Sequence, residues 1–221
     1  MLNTLDDYIS SSLPQGGGFT TNPNLAKKSD GNGVLLPFFG NTAVFLLDEC
    51  TKARIAELQN ELYSAAPDML GERLDPDTFH MTLHDLINAP VDDENLRSEM
   101  AAVHGRAKAL LDALRPNVPL RMRATWMFNM VNTSIVLGLA PCDELSYAVL
   151  DGLYCAFENV LRLGYALTPH ITLAYFRPGI YGDEQLARLR NALHAVDLEL
   201  ALEPRNLVLQ EFCDMNTYFT V

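Results

Sequence analysis

Hydrophobic and polar positions follow two rhythms along this chain. Thr42-Ala43-Val44-Phe45-Leu46-Leu47 is a continuous apolar, β-branched and aromatic run, which predicts a strand covered on both faces. Ile55, Leu58 and Leu62 then recur at helical spacing, with Thr51 placed as an N-cap. Phe79 to Leu86 is short and alternating, a second strand. Leu96, Met100, Val103, Ala107, Leu110 and Leu114 form one stripe and predict an amphipathic helix over 94–114. Pro116 and Pro119 break the chain. Leu120 to Val131 and Thr133 to Leu139 read as two strands, with a turn near Asn132 joining them as a hairpin. Leu145, Val149, Leu153, Phe157 and Val160 mark the next helix, opened by Pro141 to Asp143. A strand over 171–176, a helix over 182–195 carrying Leu186, Leu189 and Leu193, and strands at 198–202 and 207–212 complete the order. Hairpin-like neighbours outnumber clean βαβ units. This order predicts an α+β fold, antiparallel sheets flanked by helices.

Residues 10–33 interrupt these rhythms with Ser, Gly, Asn and Pro around Gly16-Gly17-Gly18, and hold Lys27 and Lys28, one of the few locally basic places. Residues 1–33 are therefore expected to form a flexible N-terminal extension or a lid, and 34–221 a single domain. The first ten residues carry Asp6 and Asp7 but no Lys or Arg, the wrong charge for a secretory signal. No apolar run approaches the ~18 residues of a membrane span. Cys50, Cys142, Cys155 and Cys213 are widely spaced without a C-x-x-C pair, as expected of buried free thiols in a reducing compartment. The expectation is a cytoplasmic protein that does not bind membranes.

Charge narrows the partners. With 16 Lys+Arg against 28 Asp+Glu, the formal net charge of the 221 residues is −12. Such a surface repels duplex DNA and other long polyanions.

Two segments repeat: Phe79-His80-Met81-Thr82-Leu83 and Pro169-His170-Ile171-Thr172-Leu173, their histidines 90 residues apart. Each follows a predicted helix and sits in a predicted strand, where His and the Thr two places on share a face while Met81 and Ile171 point into a core. Each copy thus presents an imidazole beside a hydroxyl. Two imidazoles suit general acid and general base across one reacting group, and two hydroxyls suit the non-bridging oxygens of a phosphate. One isolated His-x-Thr is usually a satisfied structural histidine. The matched pair carries more weight.

These twin His-x-Thr tetrads resemble those of the two-histidine phosphoesterase superfamily, which includes bacterial 2′,5′-RNA ligase-like cyclic phosphodiesterases. The resemblance covers roughly residues 40–221. It implies a bilobal fold with two pseudo-symmetric antiparallel β-sheets facing a central groove and helices outside, and assigns catalysis to His80, Thr82, His170 and Thr172. It also implies metal-free opening of a cyclic phosphate on a small nucleotide or short RNA end, with no cofactor. A monomer is expected. The alternative is a non-catalytic module holding an AMP-like nucleotide in the same groove.

Around the pair, strict alternation sets His84 on the face of His80 and Thr82, as a groove contact or a capping histidine. As metal ligands, His80 and His84 would stand about 13 Å apart in an extended strand, so no metal site is expected. Phe176 shares the face of His170 and Thr172 and is a candidate base platform, while Tyr175 points with Ile171. Arg177 becomes a candidate phosphate contact if the strand ends before it. Trp126, Phe128 and Met130 alternate as core. Arg121 and Arg123 form a small basic patch, and His104 and His194 lie on helices as solvated residues.

Overall fold

The computed structural model describes residues 2–3, 6, 13–14 and 16–221. Four helices and ten strands are described. The strands are β1 (Phe19–Thr20), β2 (Phe39–Leu46), β3 (His80–Ala89), β4 (Leu120–Met130), β5 (Ser134–Pro141), β6 (His170–Tyr175), β7 (Ile180–Tyr181), β8 (Glu199–Leu202), β9 (Leu207–Asp214) and β10 (Thr217–Thr220). The helices are α1 (Glu49–Ala65), α2 (Glu94–Leu114), α3 (Glu144–Phe157) and α4 (Asp183–Ala192).

Eight strands form one antiparallel sheet in the order β10-β9-β2-β3-β6-β5-β4-β8, curled as a half-barrel. The fold is α+β and bilobal as expected. Its two halves, β10-β9-β2-β3 and β6-β5-β4-β8, are joined edge to edge through one registered pair, Met81 opposite Ile171. Within each half the order strand, helix, tetrad strand, helix repeats as β2-α1-β3-α2 and β5-α3-β6-α4. The chain crosses between halves after α2 and again between β8 and β9, so the first half is assembled from two separate segments, while the second is continuous from β4 to β8. β2 is buried almost throughout because β3 and β9 flank it and α2 packs against it, which explains its unbroken apolar run.

The three longer helices start alike. Asp48, Asp93 and Asp143 accept the backbone N–H groups of Thr51, Leu96 and Ser146 at 2.9, 2.8 and 2.8 Å, each contact stabilising by about 1 kcal/mol. Thr51 is not the cap itself; its hydroxyl donates to Asp48 Oδ2 at 2.7 Å. Glu49, Glu94 and Glu144 follow in the first turns, where the helix dipole favours them. Six of the 28 acidic residues are thereby used on helix starts.

Other local expectations shift. Leu145 and Leu114 are exposed; Leu150 and Leu111 complete the buried stripes of α3 and α2. Cys50 and Cys155 are exposed rather than buried. Among the described residues no helix is long and apolar enough to cross a membrane. Arg121 pairs with Asp143 and Glu199, and His194 with Glu61.

The expected flexible extension lies partly on residues 1, 4–5, 7–12 and 15, outside the described residues. Residues 16–33 are built into the body. Phe19 packs its ring 5.0 Å from Phe176, β1 pairs with β7, and Leu25 is fully buried. Gly33, at φ +85°, lets this segment cross the loop before β3. A Cβ there would stand 2.6 Å from the Gly71 Cα. Sequence pattern missed β1, β7 and β10 because strands of two to four residues carry too few positions to show a period.

Candidate active site

The tetrads meet at the junction of the two halves. With Met81 opposite Ile171 in antiparallel register, His80 falls opposite Thr172 and Thr82 opposite His170. Directly opposed side chains on one face start about 5 Å apart at Cβ and diagonal ones about 7–8 Å, so the two histidines occupy one diagonal of a four-residue floor. Met81 and Ile171 are fully buried on the other face, which anchors the floor in the core.

Both imidazoles are oriented by the same device. A carbonyl can only accept, so Nδ1–H of His80 donates to the Thr78 carbonyl at 2.7 Å, and Nδ1–H of His170 to the Thr168 carbonyl at 2.7 Å. This fixes the Nδ1–H tautomer and leaves each Nε2 as an acceptor on the cavity side. The Tyr218 ring meets His80 edge-on, 5.0 Å between centroids. Burial holds the His80 pKa down at about 4, against the opposing pull of the Thr78 carbonyl and the Asp85 carboxylate; the neighbouring His170 adds to the depression. His170 is also lowered by burial, again opposed by its carbonyl partner and Asp85. The four residues line a cavity of about 520 Å³ whose walls include Leu74, Met130, Tyr165, Tyr175, Phe212 and Tyr218.

A β-bulge sits at the same place in both copies. Pairing jumps from Val44–Thr82 to Ala43–His84, and from Val136–Thr172 to Ile135–Ala174, leaving Leu83 and Leu173 as extra residues. The carbonyls freed near them are satisfied by side chains. Thr42 Oγ1 donates to the His84 carbonyl at 3.1 Å and Gln59 Nε2 to the Leu173 carbonyl at 3.0 Å. Beyond each bulge the faces exchange. Asp85 and Tyr175 turn to the cavity, and His84 and Phe176 turn to the core.

That exchange corrects two expectations, for His84 and Phe176, and a third, for Arg177, fails although the strand ends at Tyr175, because the side chain is held elsewhere. His84 borders the cavity but is 1% exposed, wedged against Tyr154 and Phe157, with Nδ1 on the Asp85 carbonyl and Nε2 on Glu158. Its role is to hold the 158–168 loop, because Glu158 also accepts the Leu163 N–H at 2.9 Å. Phe176 is fully buried between Phe19 and Tyr181 and does not line the cavity. Arg177 does not line it either; its Nε donates to the Leu70 carbonyl at 2.7 Å beneath Gly33. Sequence reasoning missed Lys28, Asp85, Tyr175 and Tyr218 at the site. Only the shared His-x-Thr-Leu could have hinted at a matched irregularity after both threonines. Among the described residues no group of three or more His, Cys, Asp or Glu is arranged to hold a metal ion.

No family model and no curated protein matches this sequence. Solved structures do. A conserved protein of unknown function from Agrobacterium tumefaciens aligns over 98% of this chain and 97% of its own, with 19% identity and a TM-score of 0.63. E. coli LigT complexed with 3′-AMP aligns over 83% of this chain and 95% of its own, with 15% identity and a TM-score of 0.50. The chain shares the fold of LigT. TT0787 of Thermus thermophilus matches the same fold at 19% identity and a TM-score of 0.50, over 82% of this chain and 94% of its own.

Proposed function

We propose that the chain is a metal-independent phosphodiesterase that opens a cyclic phosphate on a small nucleotide or short RNA end. The observation that carries this reading is the pair of Nδ1-anchored imidazoles on one diagonal, each with Nε2 toward the cavity and a threonine beside it. One neutral imidazole takes a proton from water as its oxygen bonds to phosphorus. The other, protonated, gives its proton to the ester oxygen as that P–O bond breaks, leaving a phosphomonoester. Thr82 and Thr172 donate to the non-bridging oxygens, where charge builds in the transition state. Asp85, the carboxylate that favours protonation of both rings, supports the acid form. The 3′-AMP bound to LigT is a nucleotide of the size this cavity admits.

The test is a panel of 2′,3′-cyclic nucleotides in EDTA. Hydrolysis is expected, falling about 10²–10⁴-fold in His80→Ala and in His170→Ala. Absence of turnover on every member, or full activity in either variant, overturns the reading. Nucleotide binding without turnover would instead identify an AMP-like binding module. The reading also holds the protein to be a cytoplasmic monomer that does not bind duplex DNA.

A further inference from the structure

Lys28 lies in the segment that the twin-tetrad resemblance leaves unexplained, yet it lines the cavity. Its backbone is fixed. Asn22 caps the turn Pro23–Lys27 through a 2.9 Å bond to the Asn24 N–H, and the Lys28 N–H donates to the Leu25 carbonyl at 2.9 Å. The Lys28 carbonyl in turn accepts the Leu36 N–H at 2.9 Å. Residues 20 and 22 are tied to the β4–β5 turn, with Asn22 N–H on the Asn132 carbonyl at 2.9 Å and Asn132 Nδ2 on the Thr20 carbonyl at 3.1 Å. No closing motion is needed to bring Lys28 to the cavity.

Its ammonium lies over two aromatic faces, 5.0 Å from the Phe38 centroid and 5.6 Å from that of Tyr175. Among the described residues no carboxylate pairs with it, and no other Lys or Arg lines the cavity. Aromatic faces orient a cation without neutralising it. In a chain of net charge −12, an unneutralised cation on a cavity wall is a site for an anion. That anion is not the reacting phosphate. Tyr175 is rooted three residues beyond Thr172, roughly 10 Å along the strand, and reaches the cavity face only because of the Leu173 bulge. The ammonium therefore serves a second group. A phosphomonoester dianion answers a fixed monocation better than a carboxylate or phosphodiester does.

We infer that Lys28 forms a second anion subsite, and that the preferred substrate is a small cyclic phosphate bearing a separate phosphomonoester. For a nucleotide, this is a nucleoside 2′,3′-cyclic phosphate phosphorylated on its 5′ oxygen. The inference rests on the cyclic-phosphate reading for its reaction, but not for its binding.

Two measurements separate the two. The first compares kcat/KM for adenosine 2′,3′-cyclic phosphate with and without a 5′-phosphate, in the full chain and in Lys28→Met, which keeps length and apolar contact. The full chain should favour the 5′-phosphorylated substrate by about tenfold at low salt, as one charge-assisted contact allows. K28M should bring that ratio close to one, and Lys28→Arg should keep most of it. The second uses calorimetry with adenosine 3′,5′-bisphosphate against adenosine 3′-monophosphate, which needs no turnover. The bisphosphate should bind more tightly, and K28M should abolish the difference while circular dichroism shows the fold intact. No preference in the full chain, or a preference that survives in K28M, overturns the subsite. Bisphosphate preference lost in K28M without turnover of either cyclic substrate supports the subsite and overturns the hydrolase reading.

Discussion

Acid should destabilise this protein through one imidazole of the proposed catalytic pair. The His80 imidazole takes up a proton near pH 6.5 in the unfolded chain but only at about 4 in the folded one, because its place at the floor is desolvated. Between those values the unfolded chain binds more protons, so stability is full above pH 6.5 and lost as pH falls toward 4. The linkage integral gives a loss of about 2 kcal/mol at pH 5 and about 3 kcal/mol at pH 4 from His80 alone. His170 is lowered by the same cause and adds to the loss in the same direction. Urea denaturation at pH 7 and pH 5 would read this. With a urea slope of about 2 kcal/mol/M, the His80 contribution lowers the midpoint at pH 5 by about 1 M. His80→Gln cannot titrate, so its midpoint should fall less between the two pH values by that amount. Acid effects at sites away from His80 and its neighbour His170 are common to both proteins and cancel in the difference. Equal midpoint shifts in the two proteins would refute the assignment of a desolvated, neutral His80.

Asp85→Asn removes the carboxylate that favours both protonated rings. The alkaline limb of the kcat/KM profile, set by the imidazole that must carry a proton, should therefore move to lower pH. A limb that stays in place would remove Asp85 from the proton balance. At the β4–β5 turn, Val131 (φ +45°) and Asn132 (φ +60°) both adopt the left-handed region, which disfavours a β-branched side chain by about 1–2 kcal/mol. Val131→Asn should raise the melting temperature by about 2–4 °C, whereas Asn132→Gly should lower it by removing the bond to the Thr20 carbonyl. Phe176→Ala should cost about 3–5 kcal/mol in a urea melt, as expected for a core ring. Unchanged stability with a raised KM would return Phe176 to the ligand.

Much of the fold was legible because long elements repeat their period often enough to be counted. The stripe from Leu96 to Ala107 specifies α2, and the matched His-x-Thr-Leu strands specify a duplicated floor. Side-chain direction was legible only up to the threonines. One extra residue in a ladder reverses every position after it, and nothing in Leu83 or Leu173 distinguishes a bulged leucine from a regular one. His84 and Phe176 were therefore expected to face the cavity, and Asp85 was not expected there.

The sequence by itself determined the local terms: which long stretches are helix or strand, and two imidazole–hydroxyl pairs presented from rigid strands. Tertiary structure decided everything that depends on distant residues meeting. It set His80 against Thr172 through a single Met81–Ile171 pair, and placed Gln59 where a bulge leaves a carbonyl unpaired. It also folded Leu25 into the body, so that Lys28 reaches a cavity whose floor begins more than 50 residues later. Periodicity records only the burial of a residue relative to its near neighbours. Registry, bulges and long-range contacts are set by the packing of the whole chain, which no local window contains.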